Sequence, residues 1–378
     1  MTEFDYDLVI RAGRIVCAAT GLDGPGSVAI IGDRIAATST NVDGTARQSW
    51  DFPQGLLLPG LVDLHAHPAK RGSQYGVDPD QAFLRQGTTT VLSQGDAGAD
   101  NWLTYRSETV EGCRTRIRLA INLSKTGEQF GGPCFQDQDC LDADACAQAI
   151  VAGRESIWGI AVNVSRNSCV LSPHDVLKNA LHVAERTGRP LLYGMRNPGD
   201  WSIADQLSLL RAGDVVTYIF RDGEWSIIGQ DGRVLPEVLE ARDRGILFDA
   251  CHGMQSFSFR IAEAAFTAGF YPDTISTDYY AAHISAHPRH NLPRTMSKFL
   301  AAGMPEHDIF ARVGRRPAHL LGLSGEVGTL SPGGCADLTV LEMNNAAAPL
   351  IDTYQQSRPG GCWETRLAVR AGVAYSDM

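Results

Sequence analysis

Between residues 60 and 278 the chain repeats one local pattern eight times: a short apolar run, then a stretch in which apolar residues recur at helical spacing. The runs fall at 60–67, 88–94, 116–123, 156–164, 189–194, 215–220, 247–251 and 274–278. Strands that read as nearly continuous apolar runs are covered on both faces, and parallel neighbours need a crossover that is usually a helix. Eight such units predict an α/β chain closed into a (β/α)8 barrel, a TIM barrel. One of the expected helices carries its own boundary signals: Ser172 as N-cap, Pro173 at the first helical position, Asp175 in the first turn and Gly188 just past the end. An open doubly wound sheet would need a glycine-rich phosphate turn after an early strand, and no GxGxxG stands there.

The flanks read differently. Residues 7–16, 27–31 and 34–37 alternate apolar and polar side chains, and a similar short-strand texture returns at 336–341 and 364–374. The two ends are therefore expected to pair into one small β-sandwich subdomain, residues 1–55 with 326–378, beside a barrel at 56–325. A net charge of −10 is spread along the chain with no basic cluster, which excludes nucleic acid as an expected partner. Glu3, Asp5 and Asp7 stand where a secretory signal would need positive charge, and no run is long and apolar enough to span a membrane, so a cytoplasmic protein is expected. Nine cysteines without a CxxC pair point to reduced, buried thiols. The partner expected is a small-molecule substrate, and assembly into a homo-oligomer is left open.

The residues with chemistry begin at Leu58-Pro-Gly-Leu-Val-Asp-Leu-His-Ala-His67, an apolar strand that ends in His-x-His. Residues two apart on a strand share a face, so His65 and His67 can offer ring nitrogens to one cation. Asp278 ends the last run, at the barrel mouth where catalytic residues gather; the plain alternative is an N-cap. His252 follows the seventh run, and its plain alternative is a hydrogen bond within its loop. Tyr193, Tyr218, Trp225, Tyr279 and Tyr280 are expected near the mouth, where their faces suit an aromatic substrate, and Arg196 is placed to meet a substrate carboxylate. His283, His287 and His290 read singly as solvated loop histidines.

Leu58 to His67, the strand after Gly87, Asp249-Ala-Cys-His-Gly-Met-Gln-Ser-Phe-Ser-Phe259 and Pro272-Asp-Thr-Ile-Ser-Thr-Asp278 together resemble the amidohydrolase superfamily. Met296-Ser-Lys-Phe-Leu300, Pro317-Ala-His-Leu-Leu-Gly322 and Ala336-Asp-Leu-Thr-Val340 extend the likeness over nearly the whole chain. More narrowly the chain resembles the amidohydrolase/deacetylase family related to dihydroorotases. The resemblance implies a divalent metal (zinc, iron or manganese) on His65 and His67, Asp278 as both ligand and proton shuttle to the attacking water, and His252 at the substrate. It also implies a carboxylated lysine on strand four and a histidine on each of strands five and six, but the aligned positions hold Ala161, Gly194 and Tyr218.

Alanine and glycine offer no ligand atom and tyrosinate is an uncommon one, so the usual two-metal site cannot form as aligned. One metal per chain is expected on His65, His67 and Asp278, with water, Asp96 or Asn163 completing the shell. The leading reading is hydrolysis of an amide, cyclic amide or ester bond of a small molecule. Two histidines and a carboxylate are equally the ligand set of non-haem Fe(II) enzymes that activate oxygen. A lyase or isomerase, or a binding protein that has lost catalysis, completes the alternatives, since fold does not fix chemistry.

Overall fold

The computed structural model describes residues 4–376, so the expectation resting on Glu3 lies outside the described residues. Four strands open the chain, β1 (Tyr6–Cys17), β2 (Leu22–Ile31), β3 (Arg34–Ser39) and β4 (Ala46–Pro59). Seven parallel strands follow: β5 (Leu61–Ala66), β6 (Thr88–Gln94), β7 (Arg116–Asn122), β8 (Ile157–Asn163), β9 (Leu191–Gly194), β10 (Val215–Val216) and β11 (Leu247–Phe248). The last five are β12 (Leu338–Asn344), β13 (Leu350–Ile351), β14 (Ser357–Arg358), β15 (Cys362–Arg370) and β16 (Val373–Tyr375).

Both chain ends enter one mixed sheet, in the order β16-β15-β12-β4-β1-β2-β3. Alternate residues of its strands face a common core: Leu8 and Ile10 of β1, Val28 and Ile30 of β2, Leu338 and Val340 of β12, Leu367 and Val369 of β15. That is the period of two the flanks showed. The strands expected to form a sandwich thus run as a single hydrogen-bonded sheet. Gly60 joins this sheet to the first barrel strand, and only glycine fits there, because a Cβ would lie 2.2 Å from Thr89 Oγ1.

The eighth run, 274–279, closes the barrel. Its Asp278 N–H donates to the His65 carbonyl at 2.7 Å, and its Tyr279 carbonyl accepts from the His67 N–H at 2.9 Å. On the other side its Thr274 and Ser276 carbonyls accept from Ala250 and His252 N–H at 3.0 and 3.1 Å. The run therefore bonds to both the first and the seventh strand, although it is too irregular to count as a regular strand.

The irregularity has a pattern. Tyr218, Cys251 and Asp278 have φ of +65°, +38° and +51°. Left-handed backbone at a residue with a Cβ is strained, and it cuts β10 and β11 short of the expected 215–220 and 247–251. The strain sits at the C-terminal ends of strands six, seven and eight, the rim where such a barrel does its chemistry.

The helix Pro173–Thr187 has the expected boundaries: Ser172 Oγ accepts from the Asp175 N–H at 3.3 Å, and Gly188 ends it at φ +66°. The β13–β14 hairpin leaves the terminal sheet and reaches back to the barrel, where Asp352 Oδ2 accepts from the Phe259 N–H at 2.8 Å. All nine cysteines are free thiols. Among the described residues no helix is long and apolar enough to cross a membrane.

Candidate metal centre

The register between β5 and β6 slips between Asp63 and Ala66, an irregularity that spans Leu64 and His65. Bulges re-aim side chains, and here His65 and His67 converge. Their Nε2 atoms lie 3.5 and 3.4 Å from a single oxygen, Asp278 Oδ1, with all three residues buried. These spacings are long for charged hydrogen bonds. They suit ligands of one cation: zinc bonds of about 2.0–2.1 Å in tetrahedral array separate ligand atoms by roughly 3.3–3.4 Å. Neutral imidazoles and a carboxylate are also the donors that zinc, iron or manganese accepts. Gly253 lets the carboxylate in, because a Cβ at its φ of +48° would come 2.7 Å from Asp278 Oδ2.

The shell behind these atoms is polar and ordered. His67 Nδ1 faces Asp96 Oδ1 at 3.2 Å, and Asp96 is itself held by the hydroxyls of Ser73 and Ser93 at 2.7 and 2.6 Å. Glu128 Oε2 lies 2.9 Å from the same Nδ1 without hydrogen-bonding geometry and has no other partner. Carboxylates behind a ligating imidazole fix its tautomer and raise its basicity. Burial opposes charge on His67, yet Glu128 and then Asp96 hold its pKa well above the ordinary value. His65 has no such backing: burial, then His67, push its pKa well down, and its Nδ1 is unpartnered, 3.9 Å from Asp249 Oδ2. Burial raises the pKa of Asp278, against the pull of His67 and Arg221.

Asp63 ties the first strand to the closing run. Its Oδ1 accepts from Thr277 N–H at 3.0 Å and His65 N–H at 3.3 Å, and its Oδ2 from the Thr277 hydroxyl at 2.5 Å. Asp249 does the same between the seventh and eighth runs, accepting from the Thr274 and Ser276 hydroxyls, both at 2.6 Å.

Where the usual second-metal ligands would stand, the space is closed. Ala161 packs in an apolar cluster with Leu92, Ala120 and Leu192, and a Cβ on Gly194 would meet the Asn163 side chain at 2.7 Å. Of the two substitute ligands, Asn163 Oδ1 accepts from Ser165 N–H at 3.0 Å, and Asp96 Oδ1 lies on the Nδ1 side of His67. Tyr218 does reach the centre, with its hydroxyl 3.2 Å from His65 Nε2. Burial holds that phenol well above its ordinary pKa, so the hydroxyl keeps its proton.

Several expected placements need correction. Tyr193 is fully buried on the outer face of β9, its hydroxyl donating to Gln206 Oε1 at 2.8 Å, because strand parity turns Leu192 inward and Tyr193 out. Arg196 is held by Asp200 at 2.7 Å and the Cys169 carbonyl at 2.9 Å, which occupies the fork a substrate carboxylate would need. Tyr279 packs outward against Phe83 and His283. His252 makes the hydrogen bond within its loop that was its plain alternative, Nδ1–H to the Gly253 carbonyl at 2.7 Å, and its Nε2 accepts from Lys298 Nζ at 2.8 Å. His283 and His290 are buried and stacked at 4.4 Å, and only His287 of the three is exposed.

Sequence reasoning missed Glu128, Arg221 and Lys298. The guanidinium of Arg221 lies 4.6 Å from the Tyr218 ring centre and 4.7 Å from that of Trp225, on the wall of a cavity of about 460 Å³ at the mouth. A lone cation three residues after Tyr218 was the available signal. A larger cavity, about 660 Å³ and lined by Leu247, Asp273 and Arg316, lies where strands seven and eight begin, the stability end of a barrel, and holds none of these residues.

Proteins similar to this chain in sequence and fold carry the names of hydrolases. The chain is 31% identical over 360 residues to a deacetylase of Brucella anthropi, spanning 93% of this chain and 86% of that one. It is 30% identical over 362 residues to a deacetylase of Agrobacterium fabrum, spanning 94% and 86%. Among solved structures, an adenine deaminase superposes with a TM-score of 0.89 at 26% identity, over 99% of this chain and 100% of the other. A dihydroorotase superposes at 0.87 and 27% identity, over 98% and 99%. No protein-family model matches the chain. The likeness runs from end to end in both sequence and fold, and with it the chain belongs to the amidohydrolase superfamily of metal-dependent hydrolases.

Proposed function

We propose that this protein hydrolyses an acyl C–N or C–O bond of a small molecule with one divalent cation per chain, held by His65, His67 and Asp278. The observation that carries the reading is the convergence of both Nε2 atoms on Asp278 Oδ1 at ligand spacing, with no further ligand at positions 161 and 194. The cation, when bound, supplies an acidified water and polarises the scissile carbonyl. Asp278 takes the proton of the attacking water and returns it to the departing amine or alcohol. The Tyr218 hydroxyl, kept protonated by burial, donates to the acyl oxygen as charge develops there. Burial raises the pKa of Asp278, and the pull of His67 and then of Arg221 opposes it, which favours the ionised carboxylate that acts as base. Asp96, hydrogen-bonded to Nδ1, holds His67 in one tautomer, and Glu128 adds its charge beside the same nitrogen.

The same reading places the enzyme in the cytoplasm on a small-molecule substrate. It takes residues 1–55 with 326–378, and residues 56–325, as the two units of the chain. The test is a panel of N-acyl amino acids, cyclic imides and acyl esters, assayed with and without oxygen in zinc-, manganese- and iron-loaded protein. Hydrolysis indifferent to oxygen and sustained by zinc or manganese supports the proposal. Turnover that requires both oxygen and ferrous iron overturns it.

A further inference from the structure

The helix Leu292–Ala301 places two cations one turn apart, Arg294 and Lys298, on the wall of a cavity of about 200 Å³. Lys298 is only 6% exposed, and among the described residues its ammonium has one hydrogen-bond partner, His252 Nε2 at 2.8 Å. That partner is neutral: its proton sits on Nδ1, given to the Gly253 carbonyl, and burial followed by the charge of Lys298 keeps the ring from taking a second. Among the described residues the Arg294 side chain makes one hydrogen bond, to Cys362 Sγ at 3.7 Å. Neither cation forms an ion pair with a carboxylate among the described residues.

The carboxylate on this wall, Asp352, is already committed. Its Oδ1 accepts from the N–H groups of Tyr354 and Gln356, both at 2.8 Å, and its Oδ2 from that of Phe259 at 2.8 Å. It opposes only through distance what burial, followed by the charge of Arg294, does to Lys298, whose pKa is pulled down to about 7. A buried ammonium without a counter-charge is costly, and an anion in the cavity between Lys298 and Arg294 would remove that cost and favour the charged amine. The cavity also adjoins the reacting centre, since Gly253 lines it and touches Asp278. His290, another lining residue, donates to the Thr277 carbonyl at 2.9 Å, one residue before Asp278.

We propose that Lys298 and Arg294 form an anion subsite that takes the carboxylate of the substrate, so that the enzyme acts on N-acyl or O-acyl derivatives of small carboxylic acids. The proposal rests on the hydrolytic reading above and narrows its substrate class. His252 is then a positioning residue, whose fixed tautomer aims the ammonium into the cavity.

The test compares N-acetylglycine with its uncharged carboxamide, N-acetylglycinamide. Binding to the metal-loaded protein is measured by calorimetry for wild type, Lys298→Met and Arg294→Gln, with metal content and melting temperature recorded for each. Wild type is expected to prefer the carboxylate by about tenfold or more, the worth of charged hydrogen bonds, and either variant to lose most of that preference with its metal retained. The partly exposed Arg294 gives a second reading should Lys298→Met fold poorly. An equal affinity of wild type for both compounds, failure to bind either, or a preference that survives in both variants overturns the subsite. Hydrolysis is followed in the same samples. A Lys298-dependent preference without cleavage sustains the subsite and sinks the hydrolytic reading, whereas cleavage of both compounds without preference does the reverse.

Discussion

Asp278 combines a strained backbone, a buried carboxylate and a contact surface that only glycine permits, and each can be probed at the level of one residue. Asp278→Asn keeps an oxygen for the cation but cannot accept the water's proton. A loss of about 10² to 10⁴ in kcat with near-normal metal content is expected, the usual worth of general acid–base help. His65→Ala and His67→Ala should lose metal and activity together, as elemental analysis beside the assay will show, since each removes one of three side-chain ligands. Gly253→Ala removes no functional group, yet its Cβ would stand 2.7 Å from Asp278 Oδ2 at a φ of +48°. About a tenfold or greater fall in kcat is expected, because the carboxylate must move off its line of attack. Unchanged activity in Gly253→Ala would show that the orientation of Asp278 does not matter.

At the scale of the element, the sequence made the eight runs and the His-x-His pair legible because both follow from period and spacing alone. Parity within a run was equally available and decides Tyr193: Leu192 faces the barrel, so its neighbour cannot. Glu128 and Lys298 were not legible, since one lies in a loop after strand three and the other on a distant helix, and only folding brings them near histidines. The seam between β5 and the closing run rests on Asp63, whose carboxyl burial pushes up to about 7 against the hydrogen bonds of Thr277. A carboxyl with a raised pKa binds more protons in the folded than in the unfolded state, so its contribution to stability declines as pH rises from about 4 towards 7. Asn at this position carries no such proton. In metal-free protein Asp63→Asn should therefore gain on wild type as pH rises through that window. Denaturant melts of both proteins at pH 5 and pH 8 check the sign, and a gap that narrows in the other direction refutes the assignment. Thr277→Val, which removes the hydroxyl donor to this carboxylate, should cost about 1–3 kcal/mol in the same melts.

For the whole molecule, the donors of the proposed cation come from the two strands whose pairing closes the barrel. His65 and His67 belong to the first, Asp278 to the last, and the backbone bonds Asp278 N–H to His65 and His67 N–H to Tyr279 cross the same seam. A cation there would be a clamp on closure as well as a reagent. Removing it leaves a buried carboxylate facing two imidazoles, one of them unpartnered at Nδ1, and frees the seam to open locally. A ligand at about a hundred times its Kd stabilises the native state by roughly 2.7 kcal/mol, so chelation should lower the melting temperature by several degrees. The loss should be localised: hydrogen exchange should quicken at the amides of His67 and Asp278 while the β1–β4 pairing of the terminal sheet keeps its protection. One metal per chain should restore both. A second equivalent that binds as tightly would mean that other donors, with Asp96 and Glu128 the nearest, complete a second site and that positions 161 and 194 are not where this fold decides its metal count.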